Sequence, residues 1–285
     1  MGRVLVSVEE LSRDLGHSDL VVVDCRFSLA DANAGERAYM EGHIPGAFYA
    51  HLERDLSAPI VPGKTGRHPL PDPHALASRL ETFGLNASRR LVAYDDGNGA
   101  MAARLWWLVR WLGHEQVAVL DGGYRAWREA GKSVEARIPE RQKGDLSVRL
   151  RSDLVVDAAD VERIRARPDH RVFDARAPER YRGELEPIDR VAGHIPGARS
   201  LPLTDNLRGD RFQDAEEVRR RFDVALGGVP PERAVAYCGS GVTACHLVLA
   251  GSYAGLDGIR LYAGSWSDWI TDPRRPIATG REPDR

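Results

Sequence analysis

Gly42-His43-Ile44-Pro45-Gly46-Ala47 in the first half of the chain returns as Gly193-His194-Ile195-Pro196-Gly197-Ala198 in the second. Val92-Ala93-Tyr94-Asp95 likewise returns as Val235-Ala236-Tyr237-Cys238. One pattern written twice in 285 residues predicts two domains of ordinary size. The copies disagree where chemistry would matter. One strand ends in an aspartate, the other in a cysteine that opens the glycine-rich turn Cys238-Gly239-Ser240-Gly241-Val242-Thr243.

Working outward, Ser7-Val8-Glu9-Glu10 reads as a capping box that opens a short helix. Residues 20–23 and 91–94 are apolar runs of strand length, the first ending at Asp24-Cys25-Arg26. Residues 100–112 are apolar all round and carry Trp106, Trp107 and Trp111, which predicts a buried helix. A strand at 117–120 and a helix at 124–130 follow. The second half repeats this order: helix 157–167, strand 171–173, strand 234–237, helix 242–254 and strand 259–262. Short apolar strands alternating with helices predict an α/β fold, each half a parallel sheet with helices on both faces. Ligands of such sheets bind beyond the carboxyl ends of the strands, where Cys238 stands. The expected division is a first domain at 1–137, a charged linker with Pro139 and Gly144 at 138–152, and a second domain at 153–285. The tail from Asp272, with Pro273, Pro276 and Pro283, is expected to pack loosely.

Composition narrows the function classes. A 42% hydrophobic, 29% charged chain is ordinary for a soluble globular protein. A formal net charge of −2 supplies no basic field for nucleic acid and no polybasic membrane anchor. No run approaches the ~18 apolar residues of a membrane span, and the first 20 residues lack the basic and apolar regions of a signal peptide. Three cysteines, Cys25, Cys238 and Cys245, make no disulfide framework and suit a reducing compartment. No Cys-x-x-Cys or His-rich cluster points to a metal. The expectation is a cytoplasmic protein with neither metal nor cofactor.

A cysteine attacks only as thiolate, which an ordinary thiol supplies sparingly at neutral pH. Gly239 and Gly241 let the backbone curl until successive N–H groups face inward as an anion-binding nest. The loop then feeds a helix N-terminus, which also favours negative charge, and Ser240 and Thr243 add hydroxyls. The same donors suit a persulfide.

These residues resemble the tandem rhodanese-domain sulfurtransferases over nearly the whole chain. The resemblance is carried by the two Gly-His-Ile-Pro-Gly-Ala segments, Asp24-Cys25-Arg26-Phe27 with Asp174-Ala175-Arg176, the Trp106-Trp107 helix with Leu120-Asp121-Gly122-Gly123, and residues 238–245. In that family the N-terminal domain is catalytically silent and the C-terminal one carries the cysteine, so Asp95 marks the silent copy. Thiosulfate-preferring members typically carry basic residues after the cysteine. The uncharged Cys238-Gly239-Ser240-Gly241-Val242-Thr243 is similar to the 3-mercaptopyruvate type, whose donor has one carboxylate and a carbonyl.

The resemblance implies that Cys238 takes a sulfur from 3-mercaptopyruvate as a persulfide and passes it to a thiol such as thioredoxin, to a small thiol, or to cyanide. It implies a donor cradle of Gly239, Ser240, Gly241, Val242 and Thr243, with Arg180 as the main substrate arginine and Arg190 as the second. It also implies a triad of Ser240 with His43 and an upstream aspartate, for which Asp31 is the nearest candidate. The repeat itself serves as a control. Asp24 with Asp174, Arg26 with Arg176, and His43 with His194 occur in both copies, so they read first as scaffold. Cys245 lies seven residues after Cys238, about two helical turns or ~10 Å along an axis, and reads as a buried inert thiol. Alternatives are a thiosulfate:cyanide sulfurtransferase or a persulfide carrier in a protein relay. A phosphatase would want Cys-x₅-Arg, and position 244 is alanine.

Overall fold

The computed structural model describes residues 3–281; Pro283 and the outermost ends of both expected domain ranges lie outside them. Two compact units form along the chain.

The first unit contains β1 (Leu5–Val6), α1 (Val8–Asp14), β2 (Leu20–Asp24), α2 (Ala34–Glu41), β3 (Phe48–Tyr49), α3 (Pro73–Glu81), β4 (Arg90–Tyr94), α4 (Ala100–Trp111), β5 (Val117–Leu120) and α5 (Gly123–Glu129). Its five strands lie in the order β1-β5-β4-β2-β3, with every pair parallel. The capping box at Ser7 forms as expected, each of Ser7 and Glu10 closing the other's backbone N–H. All but two residues of α4 are buried, so its sequence shows no polar face. One side of the sheet packs around Val22, Ile44, Val92, Tyr94 and Trp127.

The second unit contains β6 (Val155–Val156), α6 (Ala158–Ile164), β7 (Arg171–Asp174), α7 (Pro178–Arg182) and β8 (Arg199–Ser200). Two short strands come next in the chain, β9 (Leu207–Arg208) and β10 (Arg211–Phe212), of which Arg208–Phe212 belongs to the first unit; the second unit resumes with α8 (Ala215–Leu226), β11 (Ala234–Tyr237), α9 (Thr243–Tyr253), β12 (Arg260–Tyr262) and α10 (Ser265–Trp269). The sheet order β6-β12-β11-β7-β8 matches that of the first unit strand for strand, and all its pairs are parallel. Val172, Ile195, Val235, Tyr237 and Trp269 occupy the core positions held by Val22, Ile44, Val92, Tyr94 and Trp127. Buried apolar residues recurring at equivalent places are the physical content of the sequence repeat.

Three features differ from the sequence expectation. Of the expected linker at 138–152, residues 138–151 belong to the first unit. Gln142 and Gly144 donate backbone N–H bonds to Thr82 and Glu81, and Arg149 and Arg151 donate to Leu112 and Trp111, so this stretch lies down on the first unit. The units also do not follow a linear boundary: Pro59–Pro69 belongs to the second and Arg208–Phe212 to the first. Finally, the tail is tied down as far as residue 280. Ala278 exchanges both backbone hydrogen bonds with His194, and Gly280 N–H donates to Arg182 at 2.8 Å. Among the described residues, no helix is long and apolar enough to cross a membrane.

Candidate active site

Cys238 follows the last residue of β11 and is buried. Its sulfur accepts the Gly241 N–H at 3.1 Å. Gly241 sits at φ +80, where a Cβ would lie 2.1 Å from the Ala263 carbonyl oxygen; only glycine turns the loop back over the sulfur. The backbone of the loop is tied to the start of α10, with Trp266 N–H on the Cys238 carbonyl at 3.0 Å and Ser267 N–H on the Gly239 carbonyl at 2.9 Å. Val242 is buried and caps α9, which Thr243 opens.

The first unit has the same scaffold around Asp95. Tyr124 N–H meets the Asp95 carbonyl at 2.8 Å and Arg125 N–H meets that of Asp96 at 3.0 Å. Here the anion cradle is filled by the residue's own side chain. Gly97 and Gly99 N–H donate to Asp95 Oδ1, both at 3.0 Å, and Met101 and Ala102 N–H donate to Oδ2 at 2.8 and 3.1 Å. Four backbone donors on one carboxyl show what this strand–loop–helix turn is built to hold. Asp210 lies over the turn, within 2.9 Å of where a Cβ on Gly97 would be, and pairs with Arg125.

Two guanidinium groups cover the Cys238 loop. A Cβ on Gly239 would lie 2.8 Å from Arg67 Nη2 and 3.4 Å from Arg180 Nη2, which places both guanidinium ends against the loop. Arg180 grips Glu186 through Nε and Nη2 at 3.1 and 2.7 Å and reaches Asp189 at 3.0 Å. Arg67 makes a bidentate pair with the same Asp189, at 3.0 and 3.1 Å. Asp189 is thus the common strut of both arginines. Burial pushes the Glu186 carboxyl up, but Arg180 and the N–H groups of Asp189 and Ile188 outweigh it and hold it below the usual range. The four side chains sum to zero charge, so the mouth of the loop is polar without being strongly basic.

Ser240 is buried, and its hydroxyl lies 2.7 Å from Nδ1 of His68, which is also buried. The imidazole beside Ser240 is therefore His68, not His43. His43 is spent in its own unit: Nδ1 lies 2.8 Å from the Tyr39 carbonyl, Nε2 lies 3.2 Å from that of Arg137, and the ring stacks on Tyr39. His194 repeats this on Tyr181, with Nδ1 2.7 Å from its carbonyl. Asp31 is exposed and pairs with Arg37 at 2.5 Å. The expected grouping of Ser240, His43 and Asp31 does not form.

Arg190 is turned away as well, donating to the Ile270 carbonyl. The second guanidinium over the loop comes from Arg67. Asp24–Arg26 and Asp174–Arg176 form the same buried bidentate pair, each arginine also donating to the carbonyl before the repeated histidine, Gly42 or Gly193. Arg176 further touches Glu186 at 3.3 Å. Cys245 is closer to the loop than a continuous helix would place it, because α9 begins only at Thr243. Its thiol donates to the Gly241 carbonyl at 3.2 Å.

Arg67 and His68 were not among the expected residues. They lie in an irregular Gly- and Pro-rich stretch with no partner in the repeat. A basic dipeptide between Gly66 and Pro69 was the available signal. The stretch is seated by Arg67 N–H on Ser267 Oγ at 3.1 Å.

Comparison with known proteins matches the family model described as a rhodanese-like domain twice, at residues 7–130 and 157–272. A Pseudomonas aeruginosa protein named "Probable 3-mercaptopyruvate sulfurtransferase" is 52% identical over 278 residues, 97% of this chain and 98% of that protein. The thiosulfate/3-mercaptopyruvate sulfurtransferase 2 of Arabidopsis thaliana is 32% identical over 96% of this chain and 86% of its own length. Among solved structures, the 3-mercaptopyruvate sulfurtransferase from Leishmania major superposes with a TM-score of 0.84 at 30% identity, covering 96% of this chain and 76% of that one. With two matching domains, the same sheet twice and full-length relatives, the chain belongs to the rhodanese family of sulfurtransferases.

Proposed function

We propose that this enzyme moves a sulfane sulfur from 3-mercaptopyruvate to a thiol or cyanide through a persulfide on Cys238. The observation that carries the reading is the contrast between the two cradles. The turn that surrounds Asp95 with four N–H donors recurs around a sulfur that accepts the Gly241 N–H, a cradle that suits a further anionic atom. In the first step the Cys238 thiolate attacks the donor sulfur, forming an S–S bond as the C–S bond breaks. The electron pair leaves on carbon as the enolate of pyruvate. The proton of the donor's own S–H is available to balance it, giving pyruvate and an anionic persulfide. In the second step the acceptor attacks the outer sulfur and Cys238 leaves as thiolate. Two displacements through one covalent intermediate predict ping-pong kinetics.

The surroundings support a donor with one carboxylate. The loop side chains are uncharged, and the two arginines above it are balanced by Glu186 and Asp189. A planar guanidinium edge matches a carboxylate, and the hydroxyl of Ser240, backed by His68, suits a developing enolate oxygen. Arg180 and Arg67 are the proposed carboxylate binders. Gly239, Ser240, Gly241, Val242 and Thr243 form the proposed cradle. His43, Asp31 and Arg190 have no part in this account. The acceptor is proposed to be a protein or small-molecule thiol, and the setting a reducing one.

The test compares kcat/KM for 3-mercaptopyruvate and thiosulfate with one thiol acceptor, in the native enzyme and in Cys238→Ser. The expected result is a preference for 3-mercaptopyruvate of at least about tenfold, roughly 1.4 kcal/mol in transition-state binding, and loss of both activities in Cys238→Ser. A thiosulfate preference would overturn the donor assignment, and an active Cys238→Ser enzyme would overturn the mechanism.

A further inference from the structure

We infer that Ser265 is a positioning residue that fixes the backbone of Cys238 and thereby the aim of its sulfur; the inference rests on Cys238 being the nucleophile. Among the described residues Ser265 is the only non-glycine at positive φ, +55. Serine has no special tolerance for the left-handed region, and a strained, fully buried residue beside a reactive group calls for a reason.

The reason is in its hydrogen bonds. Ser265 Oγ accepts the Cys238 N–H at 3.0 Å, while its own O–H donates to the Tyr262 carbonyl at 2.9 Å. With its proton committed to Tyr262, the hydroxyl presents a lone pair to Cys238. The next residue, Trp266, donates to the Cys238 carbonyl at 3.0 Å. Both backbone polar groups of Cys238 are therefore held by consecutive residues at the start of α10.

The first unit supplies the control. Its equivalent residue is Gly123, at nearly the same φ of +56. Tyr124 still donates to the Asp95 carbonyl at 2.8 Å, but no side chain stands at 123 to receive the Asp95 N–H. Asp95 does not need one, because four N–H groups hold its carboxyl directly. A nucleophile cannot be held that way, since its sulfur must stay open to donor and acceptor. Its direction has to be set from the main chain, and the half that carries the thiol is the half that carries the strained serine.

The test uses Ser265→Gly and Ser265→Ala in the full chain. Melting temperatures, the rate of iodoacetamide alkylation at Cys238 read by mass spectrometry, and kcat and KM for 3-mercaptopyruvate are measured. Glycine suits this φ, so Ser265→Gly should melt within about 4 °C of the native protein, the shift expected of ~1 kcal/mol or less. Alkylation and kcat should each fall about tenfold, with KM nearly unchanged. Ser265→Ala should show the same kinetic loss and melt below Ser265→Gly. Native alkylation and kcat in Ser265→Gly would overturn the inference, and so would a Ser265→Gly protein that melts below Ser265→Ala. Alkylation is read without turnover, so these outcomes are separate from an active Cys238→Ser, which would instead sink the nucleophile itself.

Discussion

Cys238 is one of three buried thiols, and burial alone does not distinguish them. Their surroundings do. Burial pushes the Cys25 thiol well above its ordinary range, and Asp24, Asp95 and Asp55 add to the effect. A raised thiol stays protonated at pH 8, and the protonated form is a poor nucleophile. Native protein treated with iodoacetamide at pH 8 should therefore carry one adduct, at Cys238, with Cys25 modified only after denaturation. Peptide mass mapping checks this, and an adduct on Cys25 in the folded protein would contradict it.

Much of the proposed site was legible residue by residue in the sequence. Cys238 and its loop stood out because one copy of the repeat has lost the thiol. His43 was weighed as scaffold because it has a counterpart in His194, and the two rings make equivalent bonds to Tyr39 and Tyr181. The same logic was blind to Arg67 and His68. A repeat informs only about positions that occur twice, and these two lie in a stretch whose contribution to the second unit depends on where the chain folds, not on local pattern. Arg190 was misassigned for a related reason. Sequence placed a second arginine near Arg180, but Asp189 selects its partners in space, and it selects Arg67.

At the scale of elements, the most informative is the turn from β4 into α4. Asp95 satisfies four backbone N–H groups that are otherwise without protein acceptors at this helix start. Asp95→Ala should cost about 1–3 kcal/mol of stability, the penalty of leaving buried donors unsatisfied. Denaturant unfolding measures it, with a midpoint unchanged from the native protein as the contrary result. Strands of four or five residues and the tryptophan-rich helix were readable because their apolar runs are continuous. The two-residue strands were not, since two residues carry no period. α8 was passed over although its signal was present: Val218, Phe222 and Leu226 recur at helical spacing and are buried. α3 was passed over too, with Asp72 accepting the His74 and Ala75 N–H groups and Pro73 opening the first turn.

At the scale of the whole molecule, the duplicated sheet presents the same turn twice, with Asp95 in one copy and Cys238 in the other. Both units keep the buried Asp–Arg pair behind the loop and the same tie between loop and following helix. They differ in what fills the cradle, a carboxyl held by four donors or a sulfur held by one. The exchange of Pro59–Pro69 and Arg208–Phe212 between units gives the copy with Cys238 both Arg67 and His68 and gives the copy with Asp95 the side chain of Asp210. Domain identity was legible from the repeat, whereas this exchange depends on tertiary packing that no local pattern encodes.

The most direct measurement is a single turnover with excess 3-mercaptopyruvate and no acceptor, followed by pyruvate assay and mass spectrometry of the cysteine peptides. The predicted result is one pyruvate released per chain and one added sulfur atom, on Cys238. Pyruvate released with Cys238 unmodified, or the sulfur found on Cys25 or Cys245, would contradict it.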